Sequence, residues 1–81
     1  MKAFANLSNE DIEKVYKTIS SNVRRIRKEK GLTQTDVALS MGFTTATFFT
    51  NAENFNKKHF NLEHIIRIAN ILEIDICELF K

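Results

Sequence analysis

The charged side chains of this sequence are unevenly distributed. Residues 24–30 read RRIRKEK and carry a local net charge of +4, whereas residues 62–81 carry a net charge of −2. A basic segment of this kind attracts an anionic partner, because neighbouring charges of one sign add into a local field. The alternative is a solvated helix flank with intrahelical ion pairs. Charge alone therefore nominates an anionic partner and leaves both interpretations open.

No group of residues has the spacing of a catalytic or metal centre. His59 and His64 are five residues apart, with no cysteine or carboxylate at ligand spacing. Cys77 is the only cysteine and lies among apolar residues, so we expect a small buried side chain. We find no nucleophile–base–orienter set and no glycine loop that could hold a phosphate. We therefore predict that the chain is not an enzyme and uses no metal or cofactor.

Composition restricts the class of fold. The 81 residues allow one compact domain, and the absence of proline with only two glycines argues against turn-rich β folds. A single cysteine cannot form an internal disulfide, which favours a reducing, cytoplasmic compartment. No run approaches the ~20 apolar residues of a membrane helix. The N-terminus does not have the pattern of a signal peptide.

Capping residues and apolar periodicity predict a helical chain. Ser8 is the expected N-cap of a first helix that Gly31 ends, and the cap-forming residues 20–22 leave open whether this is one helix or two. The expected N-caps of the later helices are Thr33, Thr44, Asn61 and Asp75. The third helix would cover about 45–54. The class is therefore all-α, with five or six short helices.

The second and third predicted helices are joined by a turn with a restricted geometry. Ala38 provides a small side chain where two helix backbones approach, and Gly42, four residues later, permits a positive φ. Phe43 and Phe48 follow as candidate core anchors. A rigid pair of this kind holds its second helix clear of the domain, where it can enter the major groove of DNA.

The segments together resemble a known family. The stretch ISSNVRRIRKEKGLTQTDVALSMGF, followed after the third helix by FNLEHIIRIANILEIDICELF, is similar to the Cro/C1-type (XRE) helix-turn-helix family over residues 19–81. The resemblance implies a five-helix, lambda-repressor-like DNA-binding domain, preceded here by an N-terminal helical extension over 1–18. It also implies a homodimeric transcription regulator, more often a repressor or autoregulator, with double-stranded operator DNA as its partner. Restriction–modification controller proteins and many phage and plasmid repressors are similar in size.

The resemblance assigns roles to particular positions. Gln34 matches a glutamine that contacts DNA phosphate, and Thr33 matches the N-cap beside it. A recognition helix over about 44–54 would read bases with Thr44, Thr45, Thr47, Thr50 and Asn51. Asparagine can form two hydrogen bonds with adenine, and threonine offers a hydroxyl group and a methyl group for thymine. Lys57 and Lys58, in the following loop, would bind phosphates together with Arg24.

The sequence departs from the family's pattern after this helix. Phe55 stands where a glycine is expected in a glutamate–x–glycine turn, and the interval to the fourth helix is longer than expected. The register of the third helix could therefore shift by one residue. Phe49 and Ala52 would then be the buried pair, in place of Phe48 and Asn51.

The predicted recognition helix also lacks cationic residues. Residues 44–56 contain no lysine or arginine, so arginine cannot read guanine from this helix. Specificity would come from threonine and asparagine contacts or from DNA shape. The alternative is an antitoxin-like or other protein-interaction module that binds DNA weakly. The phenylalanines at 43, 48, 49, 55 and 60 are expected to pack in the core and not to stack on single-stranded bases.

Some apolar residues exceed what one small core needs. The apolar stripe predicted for the fourth helix consists of Leu62, Ile65, Ile66, Ala69 and Leu72. Ile68 and Ile71 lie off this stripe, Ile74 follows it, and Leu39 faces solvent on the second helix. The alternatives are burial under residues 1–18 and a homodimer interface through the fourth and fifth helices. We favour the dimer, because a symmetric repressor gains affinity by binding half-sites ~34 Å apart.

Overall fold

The structure is a computed structural model that describes residues 7–81. Over this range the chain forms α1 (Asn9–Glu29), α2 (Gln34–Ser40), α3 (Thr47–Glu53), α4 (Leu62–Leu72) and a closing 3₁₀ helix (Ile76–Phe80). The predicted all-α class is confirmed, with four α-helices where five were expected. None of the helices in the described part is long and apolar enough to cross a bilayer.

α1 is one continuous helix that crosses the predicted domain boundary between residues 18 and 19. The cap-forming residues 20–22 lie inside it, and two of them bond to other elements. Ser20 Oγ donates to the carbonyl oxygen of Ala52 at 2.9 Å, and Asn22 Nδ2 donates to that of Leu79 at 3.0 Å. These side chains therefore hold α3 and the 3₁₀ helix against α1 and start no second helix. Residues 1–6 of the predicted extension lie outside the described residues.

Side-chain caps mark three of the four α-helix starts. Reciprocal capping boxes join Ser8 to Asp11, Thr33 to Asp36 and Asn61 to His64. The prediction that Thr44 caps α3 is wrong, because the N-cap is Ala46, which makes no side-chain hydrogen bond. α3 therefore begins at Thr47, and its packing against the core, not a cap, holds it in place.

The core lies between the second half of α1, α2, α3, α4 and the 3₁₀ helix. Its fully or nearly buried apolar side chains are Ile19, Val23, Ile26, Val37, Ala38, Met41, Phe49, Ala52, Phe60, Ile65, Ile68, Ala69, Leu72 and Leu79. Phe49 and Ala52 are both inaccessible to solvent, so α3 adopts the shifted register. Phe48 and Asn51 are only half-buried.

The apolar face of α4 is rotated from the predicted one. Its buried residues are Ile65, Ile68, Ala69 and Leu72, a helical spacing of three and four. Leu62 and Ile66, predicted to be buried, are exposed instead. Because Ile68 is enclosed in the core, it has no surface for a partner, and its assignment to a dimer interface is wrong. Ile71 and Ile74 are half-buried and pack against the same core.

Candidate nucleic-acid interface

α2 and α3 form a helix pair joined by a turn at residues 41–46. Ala38 is fully buried near the end of α2. Gly42 has a φ of +98°, and its N–H donates to the carbonyl of Leu39 at 3.0 Å. The N–H of Phe43 donates to the carbonyl of Ala38 at 3.1 Å, which completes a Schellman motif. Gly42 thus supplies the positive φ that stops α2 and turns the chain toward α3.

A buried ion pair holds this helix pair against α1. Arg27 Nε donates to Glu53 Oε2 at 2.8 Å, and Arg27 Nη2 donates to Glu53 Oε1 at 2.9 Å. Arg27 Nη1 also donates to the carbonyl of Leu32 at 2.7 Å. Two parallel hydrogen bonds between a guanidinium and a carboxylate fix orientation as well as distance. The last turn of α1 is therefore joined rigidly to the last residue of α3.

Gln34 extends this network to the surface. Its Nε2 donates to Glu53 Oε1 at 2.9 Å, and its Oε1 accepts a hydrogen bond from the hydroxyl of Thr50 at 3.0 Å. Both polar atoms of the Gln34 amide therefore have partners within the chain, and Gln34 positions Thr50. Thr33 is exposed beside it, and its hydroxyl accepts a hydrogen bond from the N–H of Asp36 at 3.0 Å.

The side of α3 that faces away from the core is open. The buried side consists of Phe49, Ala52 and Glu53. Thr47 is exposed, and Thr50 and Asn51 are half-buried at the margins of the open side. Thr44 and Thr45 are exposed in the turn before α3 and are not part of the helix, contrary to the predicted boundary. Polar groups of all five residues are thus presented on or beside one helix surface.

Cationic side chains lie beyond the C-terminal end of α3. Lys57 and Lys58 are exposed in the loop that follows. Arg24 is exposed on α1, and its Nη1 donates to Asn54 Oδ1 at 3.3 Å. Arg27 belongs to the basic segment of the sequence, but its charge is buried and compensated by its ion pair. Arg27 therefore does not add to the cationic side chains near α3 that are available to a phosphate group.

Phe55 adopts the backbone conformation of a glycine at the position where the resemblance expects one. Its φ is +55°, and its N–H donates to the carbonyl of Ala52 at 3.1 Å. Asn56 N–H donates to the carbonyl of Asn51 at 2.7 Å, so α3 also ends in a Schellman motif. The ammonium of Lys17 lies 5.3 Å from the centroid of the Phe55 ring. A cation–π contact therefore covers the strained residue.

Sequence reasoning did not pair Arg27 with Glu53, although the sequence carries a signal. Arg27 follows Val23 by four residues, and Glu53 follows Phe49 by four, so each lies on the same helix face as a fully buried side chain. Glu53 is also the one charged residue in the segment 44–56. An isolated charge on a buried face requires a partner.

Of the five phenylalanines predicted to pack in the core, Phe49 and Phe60 lie in it, and Phe43 and Phe48 are half-buried and pack against it. Phe49 and Phe60 are buried with ring centroids 5.2 Å apart. His64 lies against Phe48, at 4.8 Å between centroids, and partial burial lowers its pKa. Phe55 is the exception, because it lies outside this cluster under Lys17.

Cys77 and His59 lie outside the helix pair. The exposure of Cys77 differs from the prediction, and the contact that His59 makes was not predicted. Cys77 is exposed, which corrects its predicted burial: Leu79, not Cys77, is the residue of the 3₁₀ helix that enters the core. A hydrogen bond with Asp75 raises the pKa of the Cys77 thiol. His59 stacks on Tyr16 with ring centroids 3.8 Å apart, which ties the loop after α3 to α1.

Comparison with known proteins yields no relative of this chain. No protein-family model, no curated protein and no solved structure matches it. Its function is therefore inferred from its residues and their arrangement.

Proposed function

We propose that this chain is a sequence-specific, double-stranded DNA-binding transcription regulator of the Cro/C1 (XRE) helix-turn-helix type, acting as a homodimeric repressor or autoregulator. Its fold would then be a lambda-repressor-like domain in which the fifth helix is reduced to a 3₁₀ turn. The observation that carries the proposal is the open polar side of α3, held at a fixed angle by the network of Arg27, Glu53 and Gln34.

Under this proposal α3 enters the major groove and meets base edges with its open side. Asn51 can form two hydrogen bonds with adenine. Thr50 already donates its hydroxyl proton to Gln34, so it meets a base as an acceptor, which favours the amino groups of adenine and cytosine. Thr47 presents both a hydroxyl and a methyl group. Thr44 and Thr45 contact the bases or backbone at the entrance to the groove.

Phosphate contacts set the position of the helix pair on the duplex. Lys57 and Lys58 lie in the loop after α3, and Arg24 lies beside the C-terminal end of this helix, so cations flank one end of the reading helix. The N–H groups of Thr33 and Asp36 are used in the capping box, so under this proposal Thr33 contacts a second phosphate through its exposed hydroxyl group. Such contacts give affinity without sequence preference.

The proposal is tested first by selection from a random duplex library. We expect the full chain to enrich a short motif, and an Asn51→Ala variant to bind that motif about 5- to 150-fold more weakly in fluorescence anisotropy, the range of one well-placed asparagine–adenine pair. Binding of Asn51→Ala to random duplex should stay close to that of the wild type, because its phosphate contacts are unchanged.

An Asn9→Ala variant is the matched control, since it removes an exposed asparagine from the first turn of α1. It should leave both affinities unchanged. Equal losses on selected and random duplex for Asn51→Ala would contradict a base-reading role. Failure to enrich any motif would contradict sequence-specific binding altogether.

A second candidate function is a protein-interaction module with weak DNA binding. Two observations favour it: residues 44–56 contain no cation for guanine, and several large apolar side chains are exposed. If this candidate is correct, the chain binds duplex DNA weakly and without sequence preference, and the binding disappears as the salt concentration is raised. The same selection therefore separates the two functions.

A further inference from the structure

We propose that a strip of exposed apolar side chains on α1, α4 and the 3₁₀ helix is the surface through which two copies of this chain pair. We define this apolar strip by Leu7, Ile12, Val15, Leu62, Ile66 and Phe80. They are six of the seven large apolar side chains that are exposed in the described part of the chain. The inference rests on the proposed homodimer and identifies the surface through which it forms. The test of this inference uses no DNA.

The strip is a continuous groove with an apolar floor. Leu7, Ile12 and Val15 line one wall of a groove of about 450 Å³ whose other walls include Leu62 and Phe80. The buried side chains of Ile19, Phe60 and Ile65 form its floor. Leu62 also belongs to a second, adjoining depression that contains Ile66. Exposed apolar residues scattered singly are ordinary, but a contiguous set marks an interaction site.

The first half of α1 is covered on one side only within the described part of the chain: His59 stacks on Tyr16, whereas Ile12 and Val15 are exposed. Its apolar residues recur at helical spacing from Ile12, yet the first buried residue is Ile19. A stretch of about ten helical residues is marginal in water without tertiary packing. The apolar stripe of this helix therefore continues beyond the monomer's core and requires another surface to cover it.

A second copy fits this surface because the strip contains both a ridge and a groove. α1 projects as a ridge that carries Val15 and Ile12, and the groove between α1 and α4 lies beside it. In a two-fold pair the ridge of each copy enters the groove of the other, the self-complementary arrangement of an isologous interface.

The area also matches a stable dimer. The six side chains are between 40% and 65% exposed, which corresponds to about 600 Å² of apolar surface per copy when a fully exposed large side chain presents on the order of 200 Å². With a polar rim this approaches the ~800 Å² per partner of a standard interface. The strip shares no residue with the open side of α3, so both surfaces can be occupied at once.

Sedimentation equilibrium of the full chain over a range of concentrations tests the inference. We expect a dimer for the wild type and at least ~10-fold weaker dimerisation for Val15→Glu and for Leu62→Glu, because each places a charge in an apolar contact on both copies. Glutamate is a better helix former than valine, and at residue 62 it suits the N-terminal turn of α4. Circular dichroism should therefore show intact helices in both variants.

Leu39→Glu is the matched control, because Leu39 is 53% exposed and is the one large exposed apolar residue outside the strip. It should leave the dimer intact. A monomeric wild type at all concentrations, or equal weakening by Leu39→Glu, would overturn the inference. It would also be overturned if deletion of residues 1–6 converted a monomer into a dimer, since the chain's own N-terminus would then cover the strip. A dimer that depends on the strip but enriches no DNA motif would support this inference and contradict the proposed function.

Discussion

At the scale of single residues, the structure is organised by one buried charge pair. Arg27 and Glu53 are 7% and 4% exposed, and each is satisfied by more than one hydrogen bond. Burying two charges costs about as much as their attraction returns, so such a pair adds little net stability. The pair acts instead on the orientation of the helices. The carboxylate of Glu53, at the end of α3, accepts hydrogen bonds from Arg27 of α1 and from Gln34 of α2, and so links three helices. The pair therefore sets the angle at which the open side of α3 is presented.

His64 is a second single residue with a distinct effect, because it forms a pH-sensitive part of the cap of α4. The N–H of Asn61 donates to His64 Nδ1 at 3.1 Å, a bond that requires this nitrogen to be unprotonated. Partial burial lowers the pKa of His64 below its ordinary value of 6.5; the carboxylate of Glu63 opposes that shift, and the positive charge of Arg67 adds to it. Because the unfolded chain then takes up the proton first, the stabilising contribution is complete above pH 6.5 and is lost as the pH falls below it.

We expect His64→Gln to remove this pH dependence while keeping the cap, since glutamine offers an acceptor at the same position. Urea unfolding at several pH values above and below 6.5 measures it. An unchanged acid-side slope in His64→Gln would show that another group titrates.

At the scale of elements, all four α-helices end in the same hydrogen-bond pattern. The residue that takes a positive φ is Gly31 after α1, Gly42 after α2, Phe55 after α3 and Glu73 at the end of α4. A side chain in this conformation costs roughly 1–2 kcal/mol, which glycine avoids. Two helix ends therefore use the favoured residue, and two carry strain.

Substitutions at these ends should act in opposite directions. We expect Gly42→Ala to lower the free energy of unfolding by about 1–2 kcal/mol, a purely conformational cost because an added Cβ would have no atom within 4 Å. We expect Glu73→Gly to raise it by up to about 1 kcal/mol. Denaturant unfolding of both variants measures the difference. A neutral Gly42→Ala would show that the positive φ is not required to stop α2.

At the scale of the whole molecule, the two surfaces proposed above share no residue, although the molecule measures only 43 × 25 × 19 Å. The open side of α3 is polar and is followed by Lys57 and Lys58, whereas the apolar strip lies on α1, α4 and the 3₁₀ helix. A net charge of +2 is small, so nonspecific attraction to DNA depends on where the cations lie. Under the proposed function, the salt dependence of DNA binding counts the cationic side chains that contact phosphate.

We expect Lys57→Ala to weaken binding to all duplex sequences alike and to reduce the slope of log Kd against log salt by about 1, the contribution of one phosphate contact. Lys81→Ala changes the net charge equally, but Lys81 pairs with Glu78 at the C-terminus. Its slope should match that of the wild type. Equal effects of the two variants would indicate a general charge effect and no contact at Lys57.

Sequence alone determined what depends on near neighbours along the chain. The helical class, the caps at Ser8, Thr33 and Asn61, and the stop at Gly42 were all predicted, because their hydrogen bonds join residues three to five positions apart. The tertiary structure decided which faces are buried. Ile68 enters the core, α3 turns Phe49 inward, and Arg27 meets Glu53, each through contacts with distant segments. A periodic pattern defines an apolar side only approximately, and long-range packing selects the residues that the core encloses and those that remain for a partner.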